Sequence, residues 1–491
     1  MWLLIVLTFV VCLLLENSIR PRCFPPGPLA LPVIGNLLTV RLKLKQLKLH
    51  HKVWQYWSRQ YGELVGLRLG FTNVVVVSGK RMIKEVCSNE VFDGRPNGFF
   101  YMMRSFGKKL GLVFADGPSW NVTRRVVLKY LKSFGYSSRS IEANIAEESK
   151  ALVDLRMKDA NTPVLINSMF DIAIINILWK LVAGKRYDLN DARLKQICYL
   201  ITRAFHVVDM SGGVLNFLPF LRYFAPGLIG YTELKQVTDL MYAFLQETIK
   251  EHRDKIDTKH PKDVIDVLLV EMIEGKEEAC KFTTSLLLQL QVVCLDLLQA
   301  GMETVSNTAV FMLLHIALND RVQASLHREI DEALGHRRPM LSDRSRMLYT
   351  EAVMLESLRI STVPAVGIPH MALGDASLGG YVIPKGTLIL LAMYDLHNGS
   401  HWTDPEMFRP ERFLTKEGNL VQDEWLMPFG TGRRRCIGEG LARSELFMFL
   451  THILQKFRIK IPEGDPIPST EPIDGVSLTA QPFRLVFEPR F

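Results

Sequence analysis

The chain begins with an apolar run that is followed by basic residues. Residues 1–15 are apolar apart from Thr8, and the first basic residues are Arg20 and Arg22. A cleaved secretory signal has its basic residues before the apolar part and a small-residue cleavage site after it. The observed order instead favours an uncleaved transmembrane anchor over residues 1–19, with the bulk of the chain on the cytosolic side. A secretory signal is the alternative.

The next segment, residues 20–40, is rich in proline. The run Pro-Pro-Gly-Pro at 25–28 cannot continue a helix and favours extended or turn backbone. We interpret this segment as a hinge between the anchor and a body that covers residues 41–491. The body opens with a basic stretch up to Lys52, which suits either an anionic membrane surface or one face of a solvated amphipathic helix.

The pattern of apolar positions predicts that the body is mainly α-helical with a minor β region. Strands are predicted over 64–69 and 74–77, and again over 380–391 and from residue 456 to the end. No internal repeat or low-complexity tract divides the body, so one large domain is expected. Long helices are predicted at 137–157, 165–183, 192–210, 232–254, 263–274, 283–315, 319–334 and 345–360.

Composition narrows the class of protein. With 491 residues, 48% hydrophobic and 22% charged, the chain is globular, and disordered, collagen-like and disulfide-stapled proteins are excluded. Its seven cysteines form no CxxC pair, which favours a reducing compartment and argues against a zinc site. The net charge of +8 allows an acidic protein, anionic lipid or nucleic acid as a partner.

The stretch from Phe429 to Gly438 surrounds one cysteine, Cys436, with glycine and arginine. Glycines let the backbone approach a ligand closely, and guanidinium groups and amide donors lower the pKa of a nearby thiol. Such a loop suits a cysteine whose sulfur binds a soft metal. A glycine-rich anion-binding loop and a buried structural cysteine beside a basic patch are the alternatives.

A second group of residues lies midway along the predicted helix 283–315. Gly301 weakens the helix there, so that the Thr304 hydroxyl can bond the carbonyl of Ala300 or face a ligand instead. Glu303, next to Thr304, is placed to supply protons. An ordinary packed helix with a polar stripe is the alternative.

Two further pairs have helical spacing. Glu356 and Arg359 share one face of a largely apolar helix, where a charge-assisted pair would be part of the framework. Trp120 and Arg124 also share a face, and their N–H groups together can hold carboxylates. Solvated surface pairs or simple packing explain either pair taken alone.

Taken in order, these motifs resemble the cytochrome P-450 superfamily, the haem-thiolate monooxygenases, along almost the whole chain. The resemblance implies a single large, mainly helical haem domain behind an N-terminal anchor. The matching motifs are PPGPxxxPxxGN at 25–36, WxxxR at 120–124, AGxET at 300–304, ExxR at 356–359, PERF at 410–413 and FGxGxRxCxG at 429–438.

The resemblance also implies roles for individual residues. The cofactor is haem b with Cys436 as its axial thiolate, and Thr304 and Glu303 are the catalytic residues that steer protons. The triad Glu356, Arg359 and Arg412 is structural, and Arg95 is a structural neighbour of the haem site. Val305 departs from the Thr or Ser of many relatives. The haem-binding residues are Trp120, Arg124, Ala300, Gly301, His370, Phe429, Arg434, Cys436 and Gly438, of which Trp120, Arg124, His370 and Arg434 match propionate-binding positions.

The anchor, the hinge and a basic surface around Arg433, Arg435 and Lys129 resemble the microsomal branch of the family. That branch implies an enzyme on the endoplasmic reticulum membrane, facing the cytosol and contacting lipid. Its electrons come from NADPH through an NADPH-cytochrome P-450 reductase, with a cytochrome b-type protein as a further donor. The chain itself has no dinucleotide-binding fingerprint. Nucleic acid is not an expected partner.

The expected pocket walls, among them 99–114 and 205–224, are apolar and aromatic, which favours a small lipophilic substrate. The apolar residues of 214–221 either dip into the bilayer or pack inside the protein. The stretches 54–62 and 92–114 resemble insect enzymes related to the methyl farnesoate epoxidases of juvenile-hormone synthesis. Our hypothesis is therefore epoxidation of methyl farnesoate or a similar sesquiterpenoid.

Other activities stay open at this point. Within the same class, the alternatives are hydroxylation of a steroid, an ecdysteroid or a xenobiotic. From another class, the alternative is a haem-thiolate isomerase or dehydratase that works without a reductase, although the intact 300–304 motif argues against it. A silent haem-binding or lipid-binding protein would be expected to lack Cys436 or Thr304, and the chain has both.

Overall fold

The computed structural model describes residues 20–133, 139–274 and 286–491. The predicted anchor over residues 1–19 lies outside the described residues. The described chain is mainly helical with small sheets, as the sequence predicts. The proline-rich segment lies against the first sheet, where the Gly66 N–H donates to the Pro26 carbonyl at 2.7 Å.

Helices make up most of the described chain, and many of them are amphipathic or wholly buried. Short 3₁₀ turns are formed by 90–92, 219–223, 341–346, 410–413 and 432–434. The α-helices are α1 Leu37–Leu47, α2 His50–Tyr61, α3 Lys80–Ser88, α4 Phe99–Met103, α5 Gly117–Ser133, α6 Arg139–Lys158, α7 Asp171–Ala183, α8 Ala192–His206, α9 Gly213–Phe217, α10 Tyr231–Lys255, α11 Val264–Glu274, α12 Leu286–Ala317, α13 Asp320–Leu334, α14 Leu348–Ser361, α15 Met393–Asn398 and α16 Glu439–Lys456.

The largest sheet has four strands in the order β1-β2-β7-β4. The strands are β1 Leu64–Leu69, β2 Thr72–Val77, β7 Leu388–Leu391 and β4 His370–Met371, and only the β2–β7 pair among them is parallel. The four valines of β2 at 74–77 are fully buried because the sheet carries apolar clusters on both faces. Smaller sheets are formed by β5 Ala376–Leu378 with β6 Tyr381–Ile383, by β9 Pro472–Ile473 with β10 Thr479–Ala480, and by β3 Pro163–Leu165 with β11 Arg484–Pro489 and β8 Phe457–Lys460.

Helix α12 is the centre of the helical core. It packs against α7, α10, α14 and α16. Among the described residues it is the one helix long and apolar enough to cross a membrane, but 67% of its apolar window is buried inside the protein. Its hydrophobicity therefore belongs to a core helix rather than to a membrane span.

The eight predicted helices and the first two strands are found, with shifts of a few residues at their ends. The strand signals over 380–391 correspond to two strands, β6 and β7. The turn at 384–386 separates β6 from β7, and the two strands join different sheets, because Pro384 and Gly386 favour a turn. Helices α2, α3 and α16 went unpredicted, and none of them has a side-chain hydrogen bond at its N-cap.

The Glu356–Arg359 pair is a buried framework element. Both side chains are 0% exposed, and the guanidinium donates from Nε and Nη2 to the two carboxylate oxygens at 2.7 and 2.8 Å. Arg412, from the PERF turn, adds an Nε–H bond to Glu356 at 3.1 Å. The three residues tie α14 to the loop that precedes the cysteine loop. The alternative of a solvated surface pair is thereby excluded.

Candidate active site

The cysteine loop is held in place through its glycines. Gly432 has φ +70°, and a Cβ there would lie 2.0 Å from the carbonyl oxygen of Cys87 in α3, so only glycine fits. The N–H of Cys436 donates to Phe429 at 2.9 Å, which closes the loop. Gly438 is the N-cap of α16, and its N–H donates to the Cys436 sulfur at 3.3 Å.

The Cys436 side chain is exposed, although protein atoms surround most of it. This combination is expected of a side chain that lines an interior cavity. Burial raises its pKa, while the Gly438 N–H and the Arg124 charge work in the opposite direction. The neighbouring donors thus lower this pKa as expected, but desolvation outweighs them and the net shift is upward. A coordinated metal ion supplies the positive charge that stabilises a thiolate in such a position.

Trp120, Arg124 and Arg434 come together beside the cysteine loop. The guanidinium of Arg434 stacks 3.6 Å from the centre of the Trp120 ring and donates to the carbonyls of Asp93 and Ala115. The Trp120 N–H donates to the Leu112 carbonyl at 3.1 Å. Arg124 donates to the carbonyl of Arg435 at 2.8 Å.

Arg95 and His370 lie next to these residues. Arg95 is buried and donates to the carbonyls of Val113, Ile368 and Pro369. Burial first, and then the charge of Arg434, lower its pKa to about 9. His370 in β4 donates from Nδ1 to the Phe92 carbonyl, and burial followed by Arg95 lowers its pKa to about 3. The imidazole is thus neutral.

This group of cations fits a ligand that carries two carboxylates. Burial lowers the pKa values of Arg95, Arg124 and Arg434, which shows that each guanidinium is charged at a desolvation cost. The neighbouring anions are Asp93 and Asp116. Guanidinium groups pair with carboxylates through parallel hydrogen bonds, so the propionates of a haem match this donor set. Sequence reasoning undervalued Arg95, whose buried position only the tertiary structure reveals.

A few residues in the middle of α12 are exposed or half-buried, in a helix that is otherwise mostly buried. Ala300 is exposed and Gly301 and Thr304 are half-buried, although the residues on both sides of them along the helix are buried. An exposed alanine in the middle of a core helix marks a cavity wall. The Thr304 hydroxyl donates to the Ala300 carbonyl at 2.8 Å, the first of the two states expected from the sequence.

The Glu303 carboxylate contacts α8 as well as its own helix. It accepts hydrogen bonds from Thr202 at 2.9 Å and from Asn307 at 3.0 Å, and burial raises its pKa. A second carboxyl lies nearby: Asp171 accepts from the Ser306 hydroxyl, and burial, with a contribution from Glu303, raises its pKa to about 7. Sequence reasoning missed this pair of acids, although an aspartate within the apolar run of α7 was a signal.

Comparisons with known proteins agree with this geometry. The family model described as Cytochrome P-450 matches residues 25–487. A farnesoate epoxidase of Bombyx mori is 62% identical over 489 residues, covering 99% of this chain and 98% of that protein. Two more relatives are "Probable cytochrome P-450 305a1" of Drosophila melanogaster, 34% identical over 99% of this chain and 98% of its own, and cytochrome P-450 2C26 of Mesocricetus auratus, 33% identical over 99% of each chain.

The family match covers the hinge, the central helix and the cysteine loop together, and the relatives align from end to end. That family holds haem through a cysteine thiolate and receives electrons from a redox partner. The chain therefore belongs to the cytochrome P-450 family and is a haem-thiolate monooxygenase.

Proposed function

We propose that this enzyme epoxidises the terminal double bond of methyl farnesoate or of a closely similar sesquiterpenoid. The observation that carries the proposal is the 62% identity to a farnesoate epoxidase over 99% of the chain. The apolar and aromatic segments that the sequence predicts as pocket walls support it, because an acyclic terpenoid offers mainly hydrophobic surface. In this role the enzyme takes part in juvenile-hormone synthesis.

In the proposed site, the Cys436 sulfur would bind the haem iron and the cations around Trp120 would hold the haem propionates. Arg124, Arg434 and Arg95 supply charge-assisted donors, and His370 supplies an imidazole beside them. Phe429 and Gly438 shape the cysteine loop, and the Gly438 N–H stabilises the thiolate form of the sulfur. When bound, a haem with a thiolate ligand supplies the activation of O₂ and the cleavage of its O–O bond.

The remaining residues make room and hold protons. Ala300 is exposed and its methyl group is small, which leaves room for a substrate beside this turn of α12. Gly301 lets α7 pack closely, because a Cβ there would lie 2.8 Å from the Leu178 side chain. Thr304 holds a hydroxyl proton on the Ala300 carbonyl, from which a slight opening of α12 releases it. Glu303 retains its own proton more readily than an exposed glutamate because burial raises its pKa. We propose these two residues as the catalytic proton donors.

We further propose a membrane-bound enzyme with residues 1–19 as its anchor and residues 20–40 as its hinge. The catalytic domain then faces the cytosol on the endoplasmic reticulum and receives electrons from NADPH through a diflavin reductase, with a cytochrome b-type protein as an additional donor. Arg433 and Arg435 beside the cysteine loop are exposed and support a docking face for an acidic partner.

The test is spectroscopic first and catalytic second. Detergent-solubilised wild type and the variants Cys436→Ser and Cys23→Ser are reduced and exposed to CO, and the Soret difference spectrum is recorded. We expect the red-shifted thiolate band in wild type and in the Cys23→Ser control, whose cysteine is exposed elsewhere, and its loss in Cys436→Ser. A thiolate band in Cys436→Ser would contradict the ligand assignment.

Turnover then tests the substrate. Holoenzyme with reductase and NADPH is supplied with methyl farnesoate, and the products are identified by mass spectrometry. We expect the terminal epoxide. Unchanged methyl farnesoate alongside hydroxylated steroid or xenobiotic would point to the alternative hydroxylase activity, and product formation without reductase would indicate an isomerase.

A further inference from the structure

The face of α12 that carries Ala300 and Thr304 continues one turn further towards the N-terminus of the helix. Asp296, Ala300 and Thr304 are spaced by four residues and so lie on one face of the helix. Asp296 is 1% exposed, and its Oδ2 accepts the N–H groups of Leu112 and Val113 at 2.6 and 3.0 Å. The carboxylate therefore fastens the 104–114 loop to the helix.

A guanidinium group completes this arrangement. Arg104 Nη1 lies 2.6 Å from Asp296 Oδ1, and its Nη2 donates to Gln299 Oε1 at 2.8 Å. The backbone of Arg104 is fixed by the Tyr242 hydroxyl, which donates to its carbonyl. The side chain is 13% exposed and lies 5.5 Å from the centre of the Phe114 ring. A guanidinium has five N–H donors, so donors remain after these two contacts.

The distance along α12 from this group to Thr304 can be compared with the length of the proposed substrate. Asp296 and Gln299, which hold the guanidinium, precede Thr304 by eight and five residues. At 1.5 Å per residue these spacings correspond to about 12 and about 8 Å. In an acyclic sesquiterpenoid acid or ester, about ten bonds separate the carboxyl carbon from the terminal double bond. An extended chain advances about 1.2 Å per bond, so the two ends of such a substrate are also about 12 Å apart.

We propose that the Arg104 guanidinium, held by Asp296 and Gln299, binds the carboxyl-derived end of the substrate and thereby positions its terminal double bond beside Thr304. This inference rests on the proposed function and names the residue that selects the double bond. The shared chemistry is an oxygen acceptor at the end of a terpenoid chain, supplied by the carbonyl of a methyl ester or by the carboxylate of the free acid. Arg104 is thus a positioning residue.

Both the ester carbonyl and the carboxylate can bind the Arg104 guanidinium, and they bind it with different affinity. Asp296 neutralises Arg104 overall and also accepts two backbone N–H bonds, while the guanidinium keeps N–H donors beyond its contacts with Asp296 and Gln299. An ester carbonyl needs one such donor. A carboxylate takes two parallel bonds and depends more strongly on the charge.

The experiment compares variants with three ligands. In the variant carrying Arg104→Gln and Asp296→Asn both charges are removed together, since a lone buried Asp296 would destabilise the fold. The amide introduced by Asp296→Asn retains an oxygen for the Leu112 and Val113 N–H groups. Gln299→Leu is a second, milder variant, and Arg193→Gln, an exposed residue paired with Glu247, is the control. The ligands are methyl farnesoate, farnesoic acid and the hydrocarbon with the same chain and no oxygen.

Dissociation constants are measured on ferric holoenzyme from the ligand-induced Soret shift, and the positions of the epoxides are determined by mass spectrometry. We expect the double variant to bind both oxygenated ligands about tenfold or more weakly, with the larger loss for the acid, since a hydrogen bond to a charged group is lost. Binding of the hydrocarbon stays within about twofold, because that ligand makes no such bond. The product shifts from the terminal epoxide to a mixture, and Gln299→Leu changes the same quantities to a smaller degree.

Two results would overturn the inference alone while the proposed function stands. In the first, wild type makes the terminal epoxide and the double variant binds and oxidises all ligands as wild type does. In the second, the double variant loses affinity equally for the hydrocarbon, which would show a structural role for Arg104. A wild type that shifts normally on binding other lipophilic ligands but oxidises no sesquiterpenoid would overturn the proposed function, and the inference with it.

Discussion

At the residue scale, the important charges are buried and paired. Glu356 accepts hydrogen bonds from two guanidinium groups, and Arg359 also donates to the carbonyl of His397 at 3.0 Å. Burying one member of such a group without its partner is costly, because the charge then loses both water and its counter-ion. Loss of Glu356 or Arg359 alone is therefore expected to destabilise the framework behind the cysteine loop.

Replacing Arg359 by methionine tests this dependence. Arg359→Met leaves the Glu356 carboxylate with only Arg412 as a charged partner, and we expect a loss of about 3–5 kcal/mol in unfolding free energy and poor haem retention. Urea unfolding and the haem-to-protein ratio measure both effects. Arg193→Met, which breaks an exposed pair with Glu247, is the control and should be nearly neutral. Equal stability of the two variants would contradict the framework role.

The hydroxyl of Thr304 is the second residue-scale test. Thr304→Ala removes the group that holds a proton on the Ala300 carbonyl, while Thr304→Ser keeps it. We expect Thr304→Ala to lower the epoxide formed per NADPH consumed by about 100-fold or more, with hydrogen peroxide formed instead, because proton transfer from a positioned group is worth about 100- to 10,000-fold. Substrate affinity should stay unchanged in both variants. Full coupling in Thr304→Ala would show that another group delivers the proton.

At the scale of elements, close backbone contacts fix the site. The cysteine loop rests on α3 through Gly432, whose missing side chain lets the Cys87 carbonyl approach. We expect Gly432→Ala to abolish haem binding in otherwise helical protein, because the added Cβ meets backbone that cannot move aside. Gly440→Ala, four residues after Cys436 with open space around it, is the matched control and should retain the haem spectrum. Circular dichroism and the CO difference spectrum separate folding from haem loss.

A half-buried ion pair links α2 to the hairpin of β9 and β10. Both the N–H and the ring of His50 contact Asp474. Burial alone would lower the pKa of His50, but Asp209 and Asp474 outweigh it and raise the pKa from 6.5 to about 9. Since the folded value exceeds the unfolded one, the stabilisation is complete below about pH 6.5 and is lost as the pH rises through about 9.

The His50→Gln variant measures that contribution. We expect wild type to be more stable than His50→Gln at pH 6, with the difference in thermal midpoint shrinking steadily up to pH 9 and vanishing above it. Asp474→Asn should show the same pH window, because it removes the partner of the same proton. A difference that stays constant from pH 6 to pH 10 would mean that His50 stabilises the fold by packing alone.

At the scale of the whole molecule, exposed apolar residues gather near the 219–223 turn. The sequence marked residues 214–221 as a patch, but Leu215, Phe217 and Leu218 are buried, so packing accounts for them. Within that stretch Val214 and Phe220 are exposed, and further exposed members follow it, with Phe224 at 80% and Leu228 at 91% exposure. Side chains of this kind in a basic protein favour contact with an anionic membrane surface.

Membrane binding without residues 1–19 tests this surface. We expect the truncated holoenzyme to float with anionic vesicles, and Phe224→Ser with Leu228→Ser to weaken that binding about tenfold or more, since each buried side chain contributes about 1.5–3 kcal/mol. Ile467→Ser, which removes another residue of 80% exposure, is the control. An equal effect of the control would show that the contact is unspecific.

Much of this fold is predictable from the sequence because many of its helices and strands follow from the pattern of neighbouring residues. The 3.6-residue period of α12 and the β-branched run of β2 are properties of neighbouring residues, and both elements are found where the sequence predicts them. Helix α3 carried no strong cap, and the split between β6 and β7 depends on which partner strand each one meets. Pairing partners are distant in sequence, so periodicity does not report them.

By itself, the sequence determined the mainly helical fold, the family and the identity of the cysteine loop, because each rests on spacing within a short motif. Tertiary structure alone decided that Arg95 is buried with Arg434, that Glu303 contacts α8 and that burial raises the pKa of Cys436. It also brought Arg104 onto the face of α12 that carries Thr304. Charge, burial and distance between remote segments follow from packing, and packing is a property of the whole chain.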